Sequence, residues 1–132
     1  MSDPLKELEE KASREPYARK LGIRVLEIRK GYALVEMPLG EDLLNIHGLV
    51  HGGAIFSLVD AAFELASNSH GQVALALSMS ITFHRPPEVP GVLRAEAREI
   101  SLSRRIGSYH IEARDQRGQL IATCQALVYR KA

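Results

Sequence analysis

Residues 51–68 read His51-Gly52-Gly53-Ala54-Ile55-Phe56-Ser57-Leu58-Val59-Asp60-Ala61-Ala62-Phe63-Glu64-Leu65-Ala66-Ser67-Asn68. Ile55, Phe56, Leu58, Val59, Phe63 and Leu65 fall on nearly every side of a helical wheel. A helix that is apolar all round is normally buried, and in a soluble chain that means wrapped by other elements. The stretch therefore predicts a long central helix, starting at His51 and reaching about Asn68, enclosed by the rest of the chain.

Both flanks supply material for the wrapping. On the N-terminal side, Leu21 to Ile28 and Tyr32 to Pro38 read as two strands joined by the turn Arg29-Lys30-Gly31. Before them, Asp3-Pro4 followed by Leu5, Leu8 and Ala12 reads as a short capped amphipathic helix, interrupted at Pro16 with a last turn to Lys20. On the C-terminal side four strands are expected. From Val73 to Phe83 the odd positions (Val73, Leu75, Leu77, Met79, Ile81, Phe83) are large and apolar and the even ones small, a period of two with one face toward a core. Pro86-Pro87 and Pro90-Gly91 mark a turn. Leu93, Ala95 and Ala97 then alternate with charged residues, as do Tyr109, Ile111 and Ala113 with His110, Glu112 and Arg114. Asp115-Gln116-Arg117-Gly118 makes a hairpin turn into the last strand, Gln119 to Tyr129. This order predicts an α+β fold, a largely antiparallel sheet curled around one central helix. It is expected to form one domain over residues 1–132, its outer face left for solvent or for other subunits.

The gross numbers narrow the partners. At 132 residues the chain suits one core. Its 17 basic and 16 acidic residues, net charge +1, are spread without a polyanion-binding tail, so nucleic acid is not expected as a partner. Cys124 is the single cysteine, so no internal disulfide is expected, and its apolar surroundings from Leu120 to Val128 read as core. No apolar run has bilayer length and the N-terminus is charged, so the expected location is the reducing cytoplasm, with no membrane partner.

Chemistry concentrates between Asn45 and Asp60. His51 opens the helix and Gly52 and Gly53 occupy its first turn, where the N–H groups lack internal partners and the helix dipole places about half a positive charge. Glycines allow a substrate carbonyl to approach those donors. They would equally serve as a tight loop-to-helix corner. Asp60 is a carboxylate among apolar helix neighbours, so it must be paired, protonated or facing a polar cleft. It lies seven residues beyond Gly53, about two turns and about 10 Å along the axis, so one carbonyl cannot touch both in one chain. Two such helices meeting antiparallel about a two-fold axis would bring Asp60 of one to Gly53 of the other, building two identical composite sites. No Gly-x-Ser-x-Gly elbow, phosphate loop or dinucleotide fingerprint is present. His47 and His51 have metal-ligand spacing but no clear third ligand, so no metal is expected.

Asn45-x-His47-Gly48-x-x-His51-Gly52-Gly53, then Asp60-x-x-Phe63 and Ala66-Ser67-Asn68, resembles the hotdog-fold thioesterases, especially the phenylacetic acid degradation type of acyl-CoA thioesterase. Ile81-Thr82-Phe83-x-Arg85-Pro86 and Ser103-Arg104-Arg105 extend the likeness over most of the chain from Asn45 onward. The resemblance implies a cytoplasmic hydrolase of acyl-CoA, acting on aryl-acetyl or medium-chain acyl groups and assembled as dimers and commonly tetramers. It needs no cofactor, because coenzyme A is part of the substrate. Asp60 would activate water or attack the thioester directly, and the Gly53 amide would polarise the carbonyl. Asn45 would orient substrate or water, and His51 and Gly52 would shape the pocket. Asn68 is implied as support for the site, and Arg85, Arg104 and Arg105 as cations for the nucleotide end of coenzyme A. Some relatives carry a third-strand serine that assists the carboxylate. Here Ala76 stands at that place, and Ser78 is expected to face the same side. Two other readings stay open: a hydratase or dehydratase of acyl thioesters, and a non-catalytic acyl-CoA-binding module of the same fold.

Overall fold

A computed structural model describes residues 3–131. Helix α1, Pro4–Ser13, starts where the Asp3 carboxylate accepts from the Leu5 N–H at 3.0 Å. Helix α2, Pro16–Leu21, ends on Gly22 in the left-handed conformation. Strand β1 is Arg24–Arg29 and β2 is Tyr32–Leu39. Leu21, expected at the start of the first strand, is the last residue of α2: Gly22 turns the chain, and pairing begins only at Arg24. A single 3-10 turn, Glu41–Leu43, leads to the loop before helix α3, Gly52–Ser67. Strands β3 (Ala74–Phe83), β4 (Gly91–Leu102), β5 (Ile106–Asp115) and β6 (Leu120–Arg130) follow.

The six strands form one antiparallel sheet in the order β1-β2-β4-β5-β6-β3. Helix α3 touches all six. The sheet is about 24 Å wide from edge to edge and the helix only about 10 Å across, so contact with both edges requires the sheet to curl around it. The inner face makes this close approach possible. Ala33, Ala95, Ala97, Ala113 and Ala122 are fully buried there, and their short side chains leave room for Leu58, Val59, Ala62, Phe63 and Ala66 of α3. Phe63 meets Tyr109 edge-on with ring centroids 5.6 Å apart. The Tyr109 hydroxyl donates to Glu99 at 2.9 Å, satisfying the one polar atom that this packing buries. Cys124 is buried in the same layer.

Two further sequence expectations need correction. The alternation in β3 does not run through the strand, because a bulge between Ala76 and Ser78 shifts the register. Ala76 pairs with Val128, whose side chain is buried, whereas Ser78 pairs with Leu127, whose side chain faces out. Ser78 therefore faces away from the side that Ala76 faces. The extra residue also sends Val73 and Leu75 outward, while Met79 and Ile81 beyond it pair with Ala126 and Cys124 on the core side. The second correction concerns α3, which is not enclosed on all sides. Gly53, Phe56, Ser57, Asp60, Ala61 and Glu64 form a stripe that the sheet leaves uncovered.

Candidate functional site

That uncovered stripe carries the polar residues singled out in the sequence. His51 is the N-cap of α3, and its Nδ1 accepts from the Gly53 N–H at 2.8 Å. A Cβ on Gly53 would lie 3.0 Å from that nitrogen, so glycine here is what lets the imidazole fold back over the helix end. With Nδ1 accepting, the proton of the neutral ring sits on Nε2, which points away as a donor. The Gly52 N–H, at the first helical position, has no hydrogen-bond partner among the described residues, and the Phe83 ring lies above its Cα. Two turns along the same stripe, Asp60 is half-buried and makes no side-chain hydrogen bond or ion pair among the described residues. Burial, and then the negative charge of Glu15, push its carboxyl above the usual carboxylate range.

Asp60 borders a cleft of about 500 Å³ formed by α1, α3 and the start of β3. Glu64, one turn further along α3, lines the same cleft. Its carboxyl is pushed up to about 8 by burial and by the neighbouring Glu15 and Asp60 carboxylates. Sequence reasoning passed over Glu64 and Glu15. The signal for Glu64 was present, since residues four apart share a helix face; Glu15 precedes α2 and had none. On the other side of Asp60, Ser57 donates to the Gly53 carbonyl at 2.8 Å and stands 2.8 Å from the Tyr17 hydroxyl, which ties α2 to the stripe.

Other expected residues hold the frame. Asn45 Oδ1 accepts from the His47 and Leu49 N–H groups at 2.8 and 3.1 Å, folding the loop before α3 and fixing where His51 begins. Asn68 closes the far end of α3: its side chain donates to the Glu64 and Ala74 carbonyls and accepts from the Ala74 N–H. It also lines the cleft. The three arginines separate. Arg85 follows the C-terminal end of β3. Arg104 and Arg105 lie in the β4–β5 turn, where the Arg105 carbonyl accepts from the Arg130 N–H beside the start of β3. The length of β3, roughly 30 Å, keeps Arg85 of one chain from sharing a phosphate with the other two.

With Asp60 two turns below the glycine-rich start of α3 as the candidate site, the six-stranded antiparallel sheet curled around this one central helix defines a hotdog fold. The comparisons with known proteins agree. The sequence model of the thioesterase superfamily matches residues 47–122. A putative esterase of Archaeoglobus fulgidus is 44% identical over 110 residues, 83% of this chain and 71% of that protein. The acyl-coenzyme A thioesterase PaaI of Escherichia coli is 37% identical over 105 residues, 80% of this chain and 75% of that protein. The solved structure of the E. coli PaaI protein superimposes with a TM-score of 0.88 at 32% identity, covering 95% of this chain and 96% of that one. The chain belongs to the thioesterase superfamily and is a hotdog-fold thioester hydrolase of the PaaI type.

Proposed function

We propose that the protein hydrolyses acyl-coenzyme A thioesters at composite sites where the α3 helices of two copies meet antiparallel, Asp60 of one opposite the His51–Gly53 turn of the other. The observation that carries this reading is the placement of Asp60. It sits without a cation on the face of α3 that the sheet leaves open, in line with the helix start but two turns away. A second feature supports the two-fold. Strand β3 is a ten-residue edge strand, and the backbone of such an edge offers unpaired donors and acceptors to a second copy. The exposed apolar residues Leu75, Ile106, Leu127 and Tyr129 on the outer face support further pairing of dimers into a tetramer.

In the reaction, the Asp60 carboxylate takes a proton from water as the water oxygen bonds to the thioester carbon, or it bonds to that carbon itself to form a mixed anhydride that water then cleaves to the free acid. The carbonyl oxygen gains charge, the carbon–sulfur bond breaks and the thiolate leaves. Burial makes Asp60 a stronger base than an exposed carboxylate. The oxyanion is received by the Gly53 N–H, which His51 holds in the absence of substrate. Magnitudes decide that contest. A helix-cap hydrogen bond is worth about 1 kcal/mol, whereas an oxyanion-hole donor is worth about 2.7–4 kcal/mol in the transition state. The His51 ring gives way where the charge is greatest, so the donor's strength is spent on the transition state rather than on the substrate. On an antiparallel two-fold pairing of β3, Arg85 of one chain comes to the end of the sheet that carries the partner subunit's Arg104 and Arg105. That arrangement offers the coenzyme A phosphates a cationic clamp spanning the interface.

The test is a thiol-release assay over short, medium-chain and aryl acyl-CoAs. Cys124 is buried, so the protein's own thiol is shielded from the reporter. Asp60→Asn should lower kcat by at least about 10³-fold while light scattering shows the same oligomer as wild type. Near-normal turnover by that variant, or a fully active monomer, refutes the assignment.

A further inference from the structure

Helix α1 lies outside residues 47–122, the part of the chain that matches the superfamily, and yet it forms a wall of the cleft that holds Asp60. Pro4, Glu7, Leu8, Lys11 and Ala12 share one helical stripe and line that cleft, with Glu15 just beyond the helix. Amphipathic helices ordinarily press such a stripe into the core. No residue of α1 is buried. Leu8 and Ala12 pack only partly against the core, and about 500 Å³ is left open between them and Phe63 and Ala76. Cavities of this size suit a small ligand. This one has an apolar strip of Leu8, Ala12, Phe63 and Ala76 between polar and charged groups, with Asp60 at one side.

We infer that α1 is the specificity wall of this thioesterase: Leu8 and Ala12 face the acyl group bound beyond Asp60 and set how long an acyl chain the site accepts. The inference rests on the thioesterase reading of Asp60 and adds the direction in which the acyl group runs. From the carbonyl at Asp60 the chain passes Phe63 and lies along α3 toward Asn68. There the Pro4–Gly71 contact closes the far end; a Cβ on Gly71 would come within 3.3 Å of Pro4. Eight residues of helix separate Asp60 from Asn68, a run of about 12 Å, which suits a medium-length chain. The rim carries Glu7, Glu15 and Glu64 against a single cation, Lys11, and Lys11 makes no ion pair among the described residues. A neutral acyl group fits such a rim and an anionic one is repelled.

The experiment compares kcat/KM for butyryl-, octanoyl- and dodecanoyl-CoA in wild type, Ala12→Phe and Leu8→Ala. One methylene misfitted in an apolar pocket changes kcat/KM by about tenfold or more. Filling the cleft with Ala12→Phe should therefore lower the octanoyl-to-butyryl ratio at least tenfold. Widening it with Leu8→Ala should raise the dodecanoyl-to-octanoyl ratio by a similar factor. Ratios that stay within twofold of wild type in both variants, with thioester hydrolysis intact, overturn the role of α1 and leave the reading of Asp60 standing. A wild-type protein that releases no thiol from any of the three overturns both.

Discussion

His51→Ala separates two ways of building the oxyanion site. In the structure the imidazole holds the Gly53 N–H at 2.8 Å, so removing it has two separable effects. The first is on stability: an N-cap side chain lost to alanine costs about 1 kcal/mol. For 132 residues the unfolding entropy is about 0.28 kcal/mol/K, so the loss lowers Tm by about 4 °C, readable by scanning calorimetry. The second effect is on rate. If the Gly53 amide receives the carbonyl, deleting its competitor leaves that donor in place, and kcat/KM should stay within about tenfold of wild type. If instead the Nε2–H of the ring is the donor, the variant loses about 2.7–4 kcal/mol of transition-state stabilisation, or 10²–10³ in kcat. Steady-state thiol release at fixed pH, on protein checked for an unchanged oligomer, gives the answer. A hundredfold drop in kcat refutes the Gly53 assignment and moves the donor to the imidazole.

Two further perturbations test the frame and the charge of the cleft. Leu58 is fully buried between α3 and the sheet, so Leu58→Ala should cost about 3 kcal/mol, measured as a lower urea midpoint at unchanged m. A loss under about 1 kcal/mol would mean that α3 does not pack as described. Glu64 has its carboxyl raised by burial and by Glu15 and Asp60. A group of that kind supports the fold below its unfolded-state value, about 4.5, and that support is lost as pH rises through about 8. Water at the cleft mouth screens part of the effect, so the direction is the test. The Tm of Glu64→Gln relative to wild type should rise between pH 4 and pH 9, and a difference that is flat or falls with pH contradicts the crowding of these carboxylates.

The fold was legible because its defining element is chemically loud. Ile55, Leu58, Val59, Phe63 and Leu65 leave α3 nowhere to go but inside, and β4 and β5 alternate cleanly enough to show their inner faces. What stayed hidden depends on relations that spacing does not carry. The bulge at Ala76–Ser78 inserts one residue into a run of small and large apolar side chains, so nothing in the composition marks where the faces exchange. The uncovered stripe of α3 was masked by Phe56 and Ala61, which are apolar and yet belong to it. In the site, Asp60 and the glycines stood out as a carboxylate and a helix start. The capture of the Gly53 amide by His51 is a matter of ring geometry, however, and the separation of Arg85 from Arg104 and Arg105 follows from strand direction. Glu64 was within reach of the four-residue rule, but its meaning depends on Glu15, which arrives from a different element.

The stripe and the edge strand raise one physical problem together. A lone copy would leave Phe56 and Ala61 of α3 only partly covered beside an unpaired β3 edge, although Tyr17 of α2 reaches the same stripe at Ser57. Covering the stripe with another segment of the same chain would also bury Asp60, and a buried carboxylate without a partner is expensive. A second copy resolves this differently. On the proposed two-fold, each α3 covers the apolar part of the other's stripe while the Asp60 end faces a helix N-terminus, where the dipole favours negative charge. On that two-fold, the surface a monomer leaves half-covered would be the one that sets the carboxylate opposite its donor. On this arrangement assembly and catalysis draw on the same contacts, because a pairing that hid the stripe in any other register would leave Asp60 facing apolar groups.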